Sequence, residues 1–67
     1  MITRAVTIER EGAYWLVHVD GTRGLTQARH YGEVETMARE YVSLVGDVPI
    51  DDVNIGSISV LGASDLL

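Results

Sequence analysis

Over residues 2–10 apolar and polar side chains alternate with the period of two that marks a half-buried strand. Ile2, Val6 and Ile8 point one way, with Arg4 interrupting them, while Thr3, Ala5, Thr7 and Glu9 point the other. Glu11-Gly12 then supplies a tight connection, and the aromatic and β-branched run over residues 13–19 predicts a second strand folded back as a hairpin. In that strand Trp15, Val17 and Val19 share one face, and Tyr14, Leu16 and His18 share the other. Asp20-Gly21-Thr22-Arg23-Gly24 has the glycines and short polar side chains of a turn, and residues 25–29 admit a short third strand.

At Tyr31 the period changes. Tyr31, Val34, Met37, Ala38, Tyr41, Val42 and Val45 follow one another at steps of three and four, which predicts a helix over residues 31–45 with these side chains on its buried face. Glu33, Glu35, Thr36, Arg39, Glu40 and Ser43 fall on the outer face, with Glu35 and Arg39 in the favourable i, i+4 order. Gly46 offers a left-handed C-terminal cap, and Pro49 bars continuation. Alternation returns over residues 53–61 but slips: Val53 and Ile55 have one parity, Ile58 and Val60 the other. A bulge or bend near Gly56-Ser57 accounts for the slip. A short tail, residues 62–67, ends in Leu66-Leu67.

These elements predict one α+β domain over residues 1–67: an antiparallel-rich sheet of three to four strands, in the order strand, strand, short strand, helix, strand, with one helix packed on one face. A single helix covers a single face. The opposite face, with Tyr14 and Leu16, must therefore meet solvent, a second copy of the chain or another partner.

At 67 residues a single core barely offsets chain entropy, so a stabilising device is expected. With no cysteine, disulfides and thiolate metal sites are excluded, and two histidines are too few for a metal cage. Self-association remains. The chain opens on Met1 with no basic flank or apolar core of a leader, and no stretch approaches the roughly 20 apolar residues of a membrane span, so the expected location is the cytoplasm.

Charge sets the class of partner. The net charge of −5 argues against direct nucleic-acid binding as the main activity, and with no apolar span no membrane partner is expected. Its distribution is uneven: four arginines face three acids up to Arg29, but one arginine faces seven acids from His30 onward. The second half would therefore attract a basic partner.

Residues that could carry chemistry do not assemble into a constellation. His18 lies mid-strand on the face opposite the helix and His30 at the mouth of the helix, so nothing places them together as a base or metal pair. Asp47, Asp51 and Asp52 lack the glycine and terminal glutamate of a calcium loop, and Asp51-Asp52 reads as a solvated turn before a strand. Ser57, Ser59 and Ser64 have no neighbouring base, and there is no phosphate loop or nucleophile elbow. The reading is a non-enzyme with no metal and no cofactor.

The order of elements and several words within it resemble the partial RNase-H-like domain of the HicB family of antitoxins. The matching stretches are residues 6–17, from Val6-Thr7-Ile8-Glu9 to Tyr14-Trp15-Leu16-Val17; Gly24-Leu25-Thr26-Gln27-Ala28-Arg29; and residues 32–40, with Met37-Ala38-Arg39-Glu40 in an acidic helix. Together they span most of residues 2–60. The chain is most similar to the short actinobacterial and phage type that lacks a DNA-binding extension. It departs from the family in the 20–24 loop and at Ala28, where many members carry glycine. The resemblance implies a module that assembles as a dimer or tetramer and covers a small basic ribonuclease toxin of the HicA type.

Two surfaces follow as candidates. Glu33, Glu35 and Glu40, on the outer face of the helix, are the expected contact for a basic protein partner. Tyr14, Leu16, His18, Val60, Leu61, Leu66 and Leu67, taken as one sheet face continued by the last strand and tail, are the expected self-association surface. The competing reading is an orphan self-assembling regulatory or structural protein with no toxin partner. A third, nucleic-acid binding through Arg4, Arg10, Arg23 and Arg29 with Tyr14 or Trp15 stacking on bases, is disfavoured by the charge.

Overall fold

The computed structural model describes residues 1–62. Four strands, β1 (Ile2–Glu11), β2 (Tyr14–Val19), β3 (Leu25–Ala28) and β4 (Val53–Val60), form one sheet in the order β3-β2-β1-β4. A single helix, α1 (Val34–Gly46), packs across it between β3 and β4 in sequence. The architecture is the expected α+β layer, and the sheet is mixed: β1-β2 and β2-β3 are antiparallel, whereas β1-β4 is parallel.

The β1-β2 hairpin turns on two residues, because Glu11 pairs with Tyr14. Gly12, the first of them, takes φ +58°, a region a side chain disfavours and the first position of a glycine-led hairpin turn requires. That register places Val6 opposite Val19 and Ile8 opposite Val17, and all four are buried toward α1. The core is completed by Ala28, Val34, Ala38, Val42 and Val53, with Trp15, Met37, Tyr41, Val48, Ile55 and Ile58 packed around it. No described polar residue is buried. Ala28 lies against this core with 2% of its surface exposed.

The turn after β2 is held by backbone: Asp20 N–H donates to Ala5 O (2.9 Å), and Thr22 donates through both its N–H (3.1 Å) and hydroxyl (2.8 Å) to Val19 O. The chain then passes Gly24, above which the Tyr41 hydroxyl sits so closely that a Cβ there would collide with it. Tyr41 thereby seals the core under the entry to β3.

The helix departs from its expected form in three places. Residues Tyr31–Glu33 make a separate 3-10 turn before α1 begins at Val34, which removes Gly32 from the α-helix and leaves Tyr31 54% exposed. Val45, expected on the buried stripe, is also mostly exposed, so burial narrows to Val34, Ala38 and Val42 at strict i, i+4 spacing with Met37 and Tyr41 beside them. The left-handed cap is Asp47 (φ 53°, ψ 48°), not Gly46, which remains helical. One residue later Val48 N–H closes onto Ser43 O (3.1 Å), and Ser43 Oγ donates to Val48 O (2.6 Å), so the reversal is fixed by hydrogen bonds.

Arg39 does not pair with Glu35. Its guanidinium turns toward the sheet, where Nε donates to Val53 O (3.1 Å) and Nη2 to Ile50 O (3.0 Å). Two carbonyls, one closing the 3-10 turn Ile50–Asp52 and already accepting the Val53 N–H, the other at the start of β4, outcompete a solvated surface pair. The phase slip in β4 is a bulge: Arg4 pairs with Ile55 but Ala5 with Ser57, leaving Gly56 extra. Val53, Ile55, Ile58 and Val60 consequently register on the same, helix-bearing side of the sheet, with Val60 opposite the buried Ile8.

Candidate functional site

The three glutamates expected to form one acidic face are dispersed. Glu33 works locally: its Oε1 accepts the Arg29 backbone N–H (2.9 Å), and its Oε2 lies 3.9 Å from His30 Nε2. The bracket joins the end of β3 to the start of the helical segment. Glu35 lies on the opposite side, lining a recess with Met1, Arg39, Asp51, Val53, Asn54 and Ile55. Glu40 is exposed on the outer surface of α1. The acidic residue that sequence spacing did not group with Glu35 is Asp51, which comes to line the same recess through the path of the 3-10 turn and not through the helix period.

Electrostatically, the Arg39 commitment matters most. Its guanidinium is engaged by two carbonyl oxygens, and among the described residues it makes no ion pair. Glu35 and Asp51 therefore share a recess without a carboxylate-bound cation between them.

The expected self-association face is also divided. Tyr14, Leu16 and His18 do lie together on the side of the sheet away from α1, opposite Glu11, Glu9 and Thr7 on β1, with Leu16 and His18 also opposite Gln27 and Leu25 on β3. The sheet order, however, puts β1 between β2 and β4, so Thr7 and Glu9 separate these residues from the last strand. Val60 belongs to the other side altogether, through the bulge. Leu61 follows β4, 58% exposed, with its N–H donating to Ile8 O (2.7 Å). Leu66 and Leu67 lie outside the described residues.

At the far end of the hairpin is a cluster that the alternation pattern reduced to a core tryptophan. Arg10 lies opposite Trp15, with its guanidinium carbon 5.2 Å from the ring centroid, and Tyr31 meets the same ring edge-on at 6.5 Å. The two-residue turn at Gly12 carries the signal, since a pairing of Glu11 with Tyr14 obliges Arg10 to meet Trp15. A shallow groove beside this cluster is lined by Tyr14, Gln27, Ala28, Arg29, Glu33 and Met37 and wraps the end of β3.

Comparison adds no relative. No family model, curated protein or solved structure matches the chain.

The histidines remain apart: His18 pairs with Leu25 at the start of β3, and His30 follows the end of that strand. Among the described residues no group of three or more His, Cys, Asp or Glu could hold a metal ion, and no helix is long and apolar enough to cross a membrane.

Proposed function

We propose that this chain is a non-catalytic protein-binding module of the HicB antitoxin type, which acts in the cytoplasm, associates with itself and covers a small basic ribonuclease toxin. One observation carries the charge side of that reading: Glu35 and Asp51 line a common recess with Met1 and Arg39, and Arg39 directs its hydrogen bonds to the Ile50 and Val53 carbonyls and to neither carboxylate. A carboxylate pair left in this state favours lysine or arginine side chains of a partner. Glu40 extends the negative surface, and Glu33, held by Arg29, contributes less.

The test is co-expression with the product of a neighbouring gene encoding a small basic protein, followed by pull-down and a growth assay. Capture and neutralisation are expected, with Glu35→Lys/Asp51→Lys slowing association roughly tenfold or more at low salt and the difference shrinking as salt rises. Absence of binding to any adjacent small basic protein removes the toxin from the reading. The second reading, a self-assembling regulatory or structural protein without a toxin, is favoured by the uncharged strand β4 at the sheet edge.

A further inference from the structure

Arg4 breaks an apolar row. Ile2, Val6 and Ile8 alternate with the same parity along β1, and Val6 and Ile8 lie in the core. The Arg4 Nε is buried and has no hydrogen-bond partner. Among the described residues the rest of its side chain makes neither a hydrogen bond nor an ion pair. A buried donor left unmet costs stability, and a methionine or leucine at this position would avoid the cost. Packing alone therefore does not account for an arginine here.

The side chain stands at a notch of about 210 Å³ between the last turns of α1 (Val42 and Val45), the start of β1 (Ile2 and Arg4) and the turn after β2 (Gly21 and Thr22). Val45 follows Val42 by three residues and continues the stripe of Val34, Ala38 and Val42, yet it is 58% exposed, because at this end the stripe overlooks the notch and not a strand. Gly21 opens the opposite wall. It takes φ +84°, and a Cβ there would lie 3.0 Å from Arg4 Nη1, so the missing side chain leaves room for the guanidinium. The last turn of α1 has no basic residue of its own, and Arg4 brings a cation to the negative end of the helix dipole. That attraction fits the sign of the charge but leaves the donors unmet.

Charge, walls and size define what the notch can hold. A guanidinium presents a planar fork of donors that matches a carboxylate. Ile2, Val42 and Val45 are aliphatic and no aromatic ring lines the notch, so the body behind the carboxylate is a short branched chain. A phosphate would carry a second charge and its hydration shell against apolar walls, in a chain whose net charge is already −5. The volume of about 210 Å³ lies below the roughly 300 Å³ at which pockets for drug-sized ligands begin. Its seven lining residues are also few against the roughly 20–30 per side of a stable protein interface, which favours a small molecule over a docked chain.

We propose that this notch binds a small free aliphatic monocarboxylic acid, with Arg4 holding the carboxylate and Ile2, Val42 and Val45 packing against the hydrocarbon. The site shares no lining residue with the Glu35 and Asp51 recess and stands independently of the toxin reading.

Isovalerate is the probe, titrated at constant ionic strength into the isotopically labelled full chain and followed by nuclear magnetic resonance. The amide signals of Gly21, Thr22 and Val45 should move together and saturate. Acetate, which lacks the hydrocarbon, and isoamyl alcohol, which lacks the charge, should each bind at least roughly tenfold more weakly. Arg4→Met should weaken isovalerate binding by a similar factor or more while melting no lower than the wild type, because the unmet donor is gone. A purely structural arginine would instead lower the melting temperature on replacement. Val45→Glu changes an exposed position, sets a carboxylate against the incoming acid and should also abolish saturation; it decides the matter if Arg4→Met fails to fold. Absence of a saturable shift in the folded wild type overturns the proposal, as does wild-type affinity in either folded variant. Acetate or inorganic phosphate binding as tightly as isovalerate rejects the aliphatic acid in favour of a bare anion. Tighter binding of an acetylated, amidated aspartyl-leucine dipeptide rejects the free acid in favour of a peptide.

Discussion

β3 and β4 both terminate the sheet, but they end it differently. β3 is four residues long and is closed off immediately by Arg29, whose N–H is taken by Glu33, with His30 against the same carboxylate. β4 is twice as long and uncharged, and it is held by its parallel ladder to β1 and, at its first residue, by Arg39 on the Val53 carbonyl and by the Val53 N–H donating to Ile50 O. The lesson concerns protection. A short edge needs little beyond a turn and one carboxylate, whereas a long apolar one must be covered or matched.

Three substitutions separate the edges. Ile8→Ala should have the largest effect, because Ile8 is fully buried and is opposite Val17 on one side and Val60 on the other. Such truncations cost about 2–5 kcal/mol, comparable with the roughly 3–5 kcal/mol that a core of this size supplies. Circular dichroism should show both edges lost together, and a variant melting within a few degrees of wild type would show that the centre of the sheet does not support both. Arg39→Met comes next. Two carbonyls at the entrance to β4 lose a charged donor, one of them in a solvent-exposed bond, so the cost is on the order of 1–2 kcal/mol. Hydrogen exchange should quicken in β4 and stay unchanged in β3; equal acceleration in both would erase the distinction. Glu33→Ala should be smallest, below about 1 kcal/mol for an exposed contact. Amide exchange at Arg29 should speed up with little change in melting temperature, and a large loss of stability would mean that β3 depends on its bracket as strongly as β4 on its anchor.

Local pattern carried most of the elements. Period two marked β1 and β2, the three-four spacing marked Val34, Ala38 and Val42, and the broken parity of Val53, Ile55, Ile58 and Val60 marked the bulge. What it lacked was adjacency. Nothing in the spacing of Val60 and Leu61 says that β1 lies between them and β2, and without that neighbour they joined Tyr14, Leu16 and His18 in one imagined face. Periodicity also treats Arg39 as a surface position by angle alone; its destination depends on where Ile50 and Val53 arrive after a reversal at Asp47. The candidate acidic site failed to cohere for the same reason, since Glu35 shares a recess with Asp51 through tertiary path and Glu33 leaves the group through a bond to Arg29.

The central place of β1 also orders events in time. Its partner β2 is reached through a two-residue turn, within reach of microsecond hairpin closure. The pairs with β4, from Ile2 with Val53 to Ile8 with Val60, join positions separated by most of the described chain, and so bear the largest loop-closure entropy of the strand contacts here. The last strand is therefore expected to dock late. Until it does, the nascent chain exposes a different border, the uncovered flank of β1 with Val6 and Ile8 beside it, so a newly made molecule is most exposed to misassociation at a strand that the finished one holds at its centre.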